Sequence, residues 1–440
     1  MTTPIYDFLR SYAEKDGIRL HMPGHKGHGP LGIEALDITE IAGADILSEA
    51  DGIIGESERN ATALFGSGRT VYTTGGSTSA IQAMLALAVK RYRSKEAPAI
   101  LASRNAHRAF LQGVALLDIP VEFMLPGNAE TVYSGVMSAS EVEDAIMGAQ
   151  QKPFAVYITS PGYLGDMWDI AAIAAVCKKH GLPLLVDNAH GAYLAFLAPS
   201  LHPIRLGAAM CADSAHKTLP VLTGGAYLHI GDAFLSELSD PKEAIALFSR
   251  TSPSYLTLAS LDLANRALAE EYGEKLMRIC ERVAEAKARL KERGFTLLSA
   301  EPLKISLSDG DARRLAEAVR AHGIEPELVD ATHLVFMASA ENKVSDIDAL
   351  EQVLLTYTPI EATKNSAPRP RLGKQVLSIR EALFAPHETV DVENAIGRVY
   401  AEITASCPPA VPIAVCGEEI TEHTVEAFKY YGIHRVRTVK

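Results

Sequence analysis

Short apolar runs of strand type alternate with helix-like segments between about residues 70 and 230, and this alternation constrains the fold most. Helical patterns are found at Ser79–Tyr92 and Ile170–Lys179. The predicted strands are Thr70–Thr74, Ala99–Ser103, Val121–Leu125, Ala155–Ser160, Pro183–Asp187, Ala209–Asp213 and Gly225–Ile230. Such alternation predicts an α/β fold with a mostly parallel sheet that is covered on both sides. Ligands of such sheets bind beyond the carboxyl ends of the strands.

The chain is long enough for several domains. A charged segment at Leu258–Arg293 predicts one long, solvated helix that leaves the large domain, and the polar stretch Ala362–Pro370 predicts a linker. Between them, further strands and a helix are predicted at Phe295–Leu298, Leu303–Leu307, Ala312–His322 and His333–Ala338. We therefore expect an N-terminal arm (1–45), a large domain (46–265), a small α/β domain (266–362) and a C-terminal domain (363–440).

Composition excludes several classes of function. The 440 residues carry a net charge of −12, which disfavours nucleic-acid binding because phosphate recognition needs a clustered basic surface. We find no secretory signal, and no apolar stretch approaches the ~20 residues that span a bilayer. The five cysteines are scattered without a CxxC pair, so we expect a reduced, cytoplasmic protein. No metal ligands are predicted.

Thr73–Ser79 joins a predicted strand to a predicted helix. Its two glycines let the backbone approach an anion, and the hydroxyls of Ser77 and Thr78 supply donors beside the helix N-terminus. The Walker pattern is absent, so this would be a phosphate site without a P-loop lysine. A plain turn with a Ser/Thr cap explains the same residues equally well.

Polar groups follow two more predicted strands. Asp187 ends a wholly apolar strand, where a carboxylate needs a cationic partner, either an arginine or a protonated pyridine nitrogen. His190 lies three residues on and could face such a ring. His107 follows another strand and could stack on a flat ring, although an isolated histidine there is more often part of a surface loop.

Lys217 follows the strand that ends at Asp213, with Ser214 and His216 beside it. We expect a partly desolvated, cationic setting, which lowers the pKa of a lysine and favours Schiff-base exchange. A lysine and a histidine at one strand end, with an aspartate at another, suit pyridoxal 5'-phosphate (PLP). In such enzymes the lysine binds the cofactor aldehyde, and the aspartate keeps the ring nitrogen protonated.

With these residues in place, the chain resembles the ornithine/lysine/arginine decarboxylases of the aspartate-aminotransferase fold, PLP fold type I. The resemblance runs over nearly the whole length, and it is the order of the motifs that is specific. They are His21–Gly27, Ala44–Leu47, Gly75–Ser79, Asp187–Gly191, Ser214–Thr218, Thr251–Tyr255, Cys407–Pro412 and Gly417–Glu418.

The resemblance implies a role for each matching residue. It makes Lys217 the Schiff-base lysine, pairs Asp187 with the ring nitrogen and stacks His107 on the ring. The phosphate would be held by Ser77, Thr78, Ser214 and His216. Ala189 and His190 would line the ring's lower face and 3-oxygen side. Thr251 or Ser252 would reach a neighbouring subunit's phosphate, which implies a homodimer with shared active sites. Glu418 and Tyr163 are weaker candidates for contacts with an amino acid substrate.

The chain departs from the family pattern near the expected substrate. Asn188 replaces a usual glutamate, Tyr193 a frequent histidine, Cys407 a common tyrosine and Val411 a common isoleucine. The segment Ser160–Asp169, which includes Gly162 and Trp168, is only loosely similar. We expect a short form without the N-terminal wing domain of the large members, so the resemblance does not imply their decameric assembly. We therefore expect the cofactor chemistry to be kept while the substrate stays open.

The expected reaction is decarboxylation of arginine, lysine or ornithine to the corresponding amine and carbon dioxide. Lys217 or His216 would return a proton to Cα. The same fold and cofactor also support aminotransferases and lyases, so these remain alternatives. A PLP-binding regulator without turnover is a third possibility.

Overall fold

The computed structural model describes residues 1–15, 17–92, 99–238, 241–249, 251–361, 367–403 and 410–440. The helices are α1 (Pro4–Glu14), α2 (Ile53–Phe65), α3 (Gly76–Arg91), α4 (Arg108–Leu117), α5 (Ala139–Gly148), α6 (Ile170–Lys179), α7 (Ala215–Thr218), α8 (Asp232–Leu235), α9 (Pro241–Ala246), α10 (Tyr255–Glu270), α11 (Tyr272–Arg293), α12 (Ala312–Ala321), α13 (Val344–Leu355), α14 (Ile379–Phe384) and α15 (Glu422–Tyr430). Single 3₁₀ turns occur at Glu34–Leu36, Ala192–Phe196 and Val392–Asn394.

The strands are β1 (Arg69–Thr73), β2 (Ala99–Ser103), β3 (Val121–Met124), β4 (Pro153–Thr159), β5 (Leu184–Asp187), β6 (Met210–Asp213), β7 (Ala226–Ile230), β8 (Thr296–Leu297), β9 (Lys304–Ser308), β10 (Leu328–Val329), β11 (His333–Met337), β12 (His387–Asp391) and β13 (Arg435–Val439). All seven predicted strands of the large sheet are confirmed, with ends within two residues of the prediction.

The large sheet has the strand order β1-β7-β6-β5-β4-β2-β3. β5 pairs in parallel with β6, and β2 pairs in parallel with both β3 and β4, whereas β7 runs antiparallel to its neighbours β1 and β6. Every residue of β5, β6 and β7 is buried, which explains why these strands read as continuous apolar runs in the sequence. The predicted fold class, a mostly parallel α/β sheet, is confirmed.

The prediction of a single solvated helix over Leu258–Arg293 is wrong. Two helices, α10 and α11, meet at Glu271, whose backbone leaves the helical region (φ −134°, ψ −10°). The neighbouring Tyr272 is fully buried, and its hydroxyl donates to the carbonyl of Thr218 at 3.1 Å. More than half of α10 is also buried, so this helix belongs to the core and not to the solvent. Burial of Tyr272 at this point fixes where the second helix starts.

The C-terminal part contains two smaller sheets. One has the strand order β10-β11-β9-β8, and the other pairs β12 with β13. The predicted elements at 295–298, 303–307, 312–322 and 333–338 are confirmed, as β8, β9, α12 and β11. In the predicted linker, residues 367–370 lie in no helix or strand, and residues 362–366 fall outside the described residues, as does Cys407.

The chain packs as two compact units, Met1–Arg93 with Cys177–Lys275, and Ser94–Val176 with Leu276–Lys440. In the first unit, α1 packs against α2 and α10. In the second, one core cluster includes Tyr400 and Phe428. The four-domain division drawn from the sequence stays a prediction. Among the described residues, none of the helices combines the length and apolar character that a membrane-spanning helix requires.

Candidate active site

The first unit gathers most of the predicted site residues at one edge of the sheet. β5 and β6 are parallel, and β1 and β6 each run antiparallel to β7, so β1, β5 and β6 share one direction. Their carboxyl ends therefore lie on the same edge, where β7 begins. The three sequence motifs around Gly75, Asp187 and Lys217 follow these three strands. This is the location that an α/β sheet gives to its ligands.

The N-terminus of α3 forms a narrow backbone turn at this edge. Gly76 has a φ of +70°, a region that favours glycine, and its N–H donates to the carbonyl of Gly224 at 2.8 Å. A Cβ on Gly75 would lie 2.2 Å from Oγ of Ser79, so glycine is required for close packing there. The first N–H groups of this sixteen-residue helix have no intrahelical acceptor, which suits an anion.

A hydrogen bond joins this turn to the end of β6. Oγ of Ser214 donates to Oγ of Ser77 at 2.7 Å. Ser214 is buried, while Ser77 and Thr78 are half-buried. Two of the predicted phosphate ligands, from segments 137 residues apart, are therefore in direct contact.

The segment after β5 carries Asp187, Ala189 and His190, all of them buried. Oδ1 of Asp187 accepts the backbone N–H of Ala189 at 3.2 Å, and only 1% of the residue is exposed. A carboxylate in this position needs a cationic or donating partner. The ring nitrogen of a bound pyridine would be a further partner.

The segment after β6 carries His216 and Lys217 on the short helix α7. The backbone N–H of His216 donates to the carbonyl of Gly225 at 3.2 Å. Nδ1 of the His216 ring lies 3.0 Å from the same carbonyl oxygen. Burial lowers the pKa of this imidazole. The contact fixes the ring against the start of β7.

Lys217 lies where the sequence placed it, but its environment differs from the expected one. The residue lies in the last turn of α7 and is exposed, not partly desolvated. Its Nζ lies 2.9 Å from Nε2 of His190. The structure thus brings the predicted lysine and one predicted histidine into hydrogen-bond contact.

The other predicted site residues lie in different segments. Thr251 and Ser252 are exposed in the first unit. In the second unit, His107 is the N-cap of α4, and its Nδ1 accepts the N–H of Ala109 at 3.2 Å. The Tyr163 hydroxyl donates to the Glu327 carboxylate at 2.8 Å.

Glu418, also in the second unit, is buried. Its carboxylate accepts the backbone N–H groups of Gly373 and Val415 at 3.1 and 2.7 Å. These contacts hold two chain segments together, a structural role that the sequence did not suggest. The roles proposed for His107, Tyr163 and Glu418 towards ligands stay predictions.

Sequence reasoning missed a buried polar cluster centred on Asp213. Its carboxylate contacts His202, His229 and Asn188. The histidines lie 11 and 16 residues from Asp213, so no local motif connects them. Only the antiparallel register, which places Cys211 opposite His229, could have signalled their proximity.

Comparison with known proteins decides the family. The sequence profile described as "Orn/Lys/Arg decarboxylase, major domain" matches residues 3–309. The chain belongs to this family. It is 27% identical to an arginine decarboxylase of Bacillus anthracis over 471 residues, covering 96% of this chain and 92% of the relative. The predicted membership in this decarboxylase family is therefore confirmed.

Solved structures agree on the fold. The E. coli constitutive lysine decarboxylase is 18% identical with a TM-score of 0.79, covering 100% of this chain and 82% of its own. A structure described as "SPT with PLP" is 15% identical with a TM-score of 0.54, covering 69% of this chain and 75% of its own. The family and these fold neighbours are PLP-dependent enzymes, and fold type I is confirmed.

The residues at the sheet edge fit PLP. The exposed Lys217 amine matches the cofactor's aldehyde in chemistry. The buried Asp187 carboxylate at a strand end matches its ring nitrogen, and the paired hydroxyls of Ser77 and Ser214 at a helix N-terminus match its phosphate. A Cβ on Gly76 would meet no atom within 4 Å, so the turn is open at that position. Lys217, Asp187, Ser77, Thr78, Ser214 and His216 are the residues that would hold it.

Proposed function

We propose that this chain uses PLP to decarboxylate a basic amino acid, arginine, lysine or ornithine, giving carbon dioxide and the corresponding amine. The observation that carries the proposal is the convergence of Lys217, His190, Asp187 and the Ser77–Ser214 pair at one sheet edge. Family membership favours decarboxylation over the other reactions of the fold. The relative named arginine decarboxylase, similar over nearly its full length, supports a basic substrate.

The chain's own residues divide the work of cofactor binding. Lys217 would hold the cofactor covalently through its amine. Ser77, Thr78, Ser214 and His216 would hold the phosphate, together with the N-terminus of α3. The buried Asp187 carboxylate would keep a proton on the ring nitrogen, because a negative charge beside that nitrogen raises its pKa.

PLP, when bound, supplies an electron-withdrawing ring that stabilises negative charge developing at the substrate's Cα. The Lys217 amine would also return a proton to the substrate's Cα. His190, 2.9 Å from its Nζ, can exchange that proton with the lysine. Decarboxylation additionally requires the leaving carboxylate to be oriented perpendicular to the ring.

A panel of amino acids tests this function directly. We expect carbon dioxide and agmatine, cadaverine or putrescine from one of arginine, lysine and ornithine, and no keto acid. Borohydride reduction followed by peptide mass spectrometry should place the cofactor on Lys217. Keto-acid formation, or trapping at another lysine, would contradict the proposal.

The matched control compares Lys217→Ala with Lys90→Ala. Lys90 is an exposed lysine of the same unit, paired with Glu243. We expect Lys217→Ala to lose both the visible absorbance of bound cofactor and turnover, and Lys90→Ala to keep both. A protein that binds the cofactor through Lys217 but turns over no amino acid would point to a regulatory role instead.

We also propose that the enzyme is a homodimer in which Thr251 or Ser252 reaches the partner's cofactor phosphate. Both residues are exposed in the single chain, and large apolar side chains of the N-terminal segment, Ile18 and Leu20, are 91% exposed. Exposed apolar residues of this size are typical of contact surfaces.

Mixing inactive variants tests the shared site. Lys217→Ala and the double variant Thr251→Ala, Ser252→Ala are each expected to have little activity. When the two variants are refolded together in equal amounts, half of the dimers contain one copy of each, and in each mixed dimer one of the two sites is intact. The mixture should therefore recover about a quarter of wild-type activity. Recovery of none, or a monomer in sedimentation analysis, would contradict the shared site.

A further inference from the structure

A buried cluster lies directly beneath the cofactor segments of the first unit. Asp213, the last residue of β6, is completely inaccessible to solvent, as are His202 and His229. Oδ2 of Asp213 lies 3.0 Å from Nε2 of His202 and 3.2 Å from Nε2 of His229. An ionised carboxylate can only accept hydrogen bonds, so both Nε2 atoms carry a proton.

The cluster holds Asp213 in its charged form. Burial alone would raise the pKa of this carboxyl, but the charge and hydrogen bonds of His202 and His229 hold it below its usual range. Nδ1 of His229 is in turn held by the Thr70 hydroxyl at 2.8 Å. The carboxylate is therefore held by partners from two separate segments, and one of these partners is held in turn by Thr70.

The other oxygen of Asp213 reaches the segment after β5. Nδ2 of Asn188 donates to Oδ1 of Asp213 at 2.7 Å, and the backbone N–H of Asn188 donates to the carbonyl of Ala212 at 3.0 Å. Both side chains are fully buried. Two hydrogen bonds thus join the ends of neighbouring strands, one through side chains and one through the backbone.

The residues on either side of this bridge belong to the candidate site. Asp187 precedes Asn188, and Ser214 follows Asp213 and donates to Ser77 on α3. One hydrogen bond therefore connects the end of β5 to Asp213, and another connects Ser214, the next residue of the chain, to the start of α3. These are the segments proposed to hold the ring nitrogen and the phosphate.

We propose that Asn188 and Asp213 are positioning residues, whose hydrogen bond sets the spacing between Asp187 and Ser214 and so fits both to one cofactor. Neither side chain needs to contact the cofactor for this role. The inference rests on the proposed function, since it assumes PLP between these segments. It assigns a role to Asn188, the residue at which this chain departs from the usual glutamate of the family.

The first test measures PLP binding by apoenzyme and the melting temperature of the apoenzyme separately. Asp213→Asn and Asn188→Ala should each weaken PLP binding about 10- to 100-fold, the range expected for losing a buried hydrogen bond to a charged group. Asn265→Ala is the matched control, because Asn265 is a fully buried asparagine of the same unit that donates to Tyr72 at 2.7 Å. It should lower the melting temperature and leave the PLP dissociation constant within about twofold.

The second test exchanges the two ends of the bridge. The double variant Asn188→Asp, Asp213→Asn keeps one carboxylate and one amide in contact, and it should bind PLP more tightly than Asp213→Asn alone. Asp213→Asn and Asn188→Ala should also be non-additive when combined, because both remove the same contact. Additive losses, no rescue by the exchange, or PLP binding unchanged in the single variants would overturn the positioning role.

Two further results distinguish the positioning role from a metal site and from failure of the proposed function. The cluster also contains the Cys211 thiol, 3.7 Å from Asp213, so His202, Cys211 and Asp213 could together hold a metal ion. We expect no zinc in the purified enzyme. One equivalent of bound zinc in the wild type, lost in the variant Cys211→Ser, would overturn the hydrogen-bonded arrangement. A wild-type protein that binds no PLP refutes the proposed function itself, whereas one that binds PLP equally well in all variants refutes only the positioning role.

Discussion

Nζ of Lys217 lies 2.9 Å from Nε2 of His190, joining the segments that follow β6 and β5. The lysine is exposed and the histidine is buried, so the imidazole is the fixed member of the pair. A fixed base next to the proposed catalytic amine can pass protons to and from it. The pair therefore predicts a role for His190 in turnover that goes beyond lining the cofactor.

We expect His190→Gln to lower kcat about 100-fold, the lower end of what a general acid–base group contributes. Gln keeps a polar side chain of similar reach, so PLP binding through Lys217 and the hydroxyls should fall much less than kcat. Steady-state kinetics and a PLP titration of the same preparation separate the two effects. A variant with unchanged kcat, or one that loses PLP and kcat in parallel, would show that His190 only lines the site.

The glycine turn at the start of α3 gives a second prediction. In Gly75→Ala the new Cβ would lie 2.2 Å from Oγ of Ser79, which donates to the carbonyl of Phe248 at 3.0 Å. Either the Ser79 hydroxyl must rotate away from Phe248 or the turn must shift, and we expect PLP affinity to fall about 10-fold because phosphate binding depends on backbone N–H groups there.

Gly273→Ala is the control for this substitution. Gly273 lies in α11, and a Cβ added there would have no atom within 4 Å, so alanine should be neutral or slightly stabilising. PLP titrations of both variants give the comparison. Equal affinity in Gly75→Ala and wild type would mean that the turn does not hold the phosphate.

The sequence was sufficient to predict the central strands of the large sheet because β5, β6 and β7 are buried on both faces. Continuous apolar runs such as Leu184–Asp187 and Met210–Asp213, bounded by polar residues, indicate both the strand and its end. The polar residues that follow then fall at the ligand-binding edge by topology alone. This is why Asp187, Ser214 and Lys217 could be placed together from their positions in the sequence.

The break at Glu271 and the Asp213 cluster could not be predicted in the same way. The residues around Glu271 favour helix, and the helix is interrupted because Tyr272 is buried against Thr218 and Phe196, which are distant in sequence. Asp213 contacts histidines from a loop and from β7. Both features depend on tertiary contacts, which local patterns do not contain.

A buried ion pair in the first unit gives a prediction on stability. Nζ of Lys242 lies 2.5 Å from Oε1 of Glu58, and both residues are buried. Burial raises the pKa of Glu58 and lowers that of Lys242, while each charge opposes the shift of the other. Removing one partner therefore leaves an uncompensated charge in the core.

We expect Glu58→Gln to lower the free energy of unfolding by about 3–5 kcal/mol. The double variant Glu58→Gln, Lys242→Met should lose less, since no charge is left unpaired. Glu243→Gln, which removes the partner of the exposed Lys90, should cost at most about 1 kcal/mol. Urea denaturation of the variants is the measurement, and equal losses in Glu58→Gln and Glu243→Gln would show that burial does not matter here.

Asp262 provides a pH-dependent test of how α1 is held on the first unit. Its Oδ2 accepts the backbone N–H groups of Ile5 and Tyr6 at 2.9 and 3.0 Å, and its Oδ1 accepts the hydroxyl of Ser57 at 2.6 Å. Burial nevertheless raises the pKa of Asp262 to about 6, because these hydrogen bonds do not fully offset desolvation. The unfolded chain releases the same proton near pH 4.

Between about pH 4 and pH 6 the unfolded chain is ionised at Asp262 while the folded chain keeps the proton. The folded state then binds more protons than the unfolded state, so this group's contribution to the free energy of unfolding falls as the pH rises. A rise in the pKa of Asp262 from about 4 in the unfolded chain to about 6 in the folded chain corresponds to roughly 3 kcal/mol of the free energy of unfolding. Asp262→Asn has the same shape and does not titrate, so the difference between wild type and this variant isolates the group. We expect that difference to decrease from pH 4 to pH 6 and to be constant above about pH 7. If it increases with pH, the carboxylate is ionised throughout and stabilises the N-terminus of α1 as an anion.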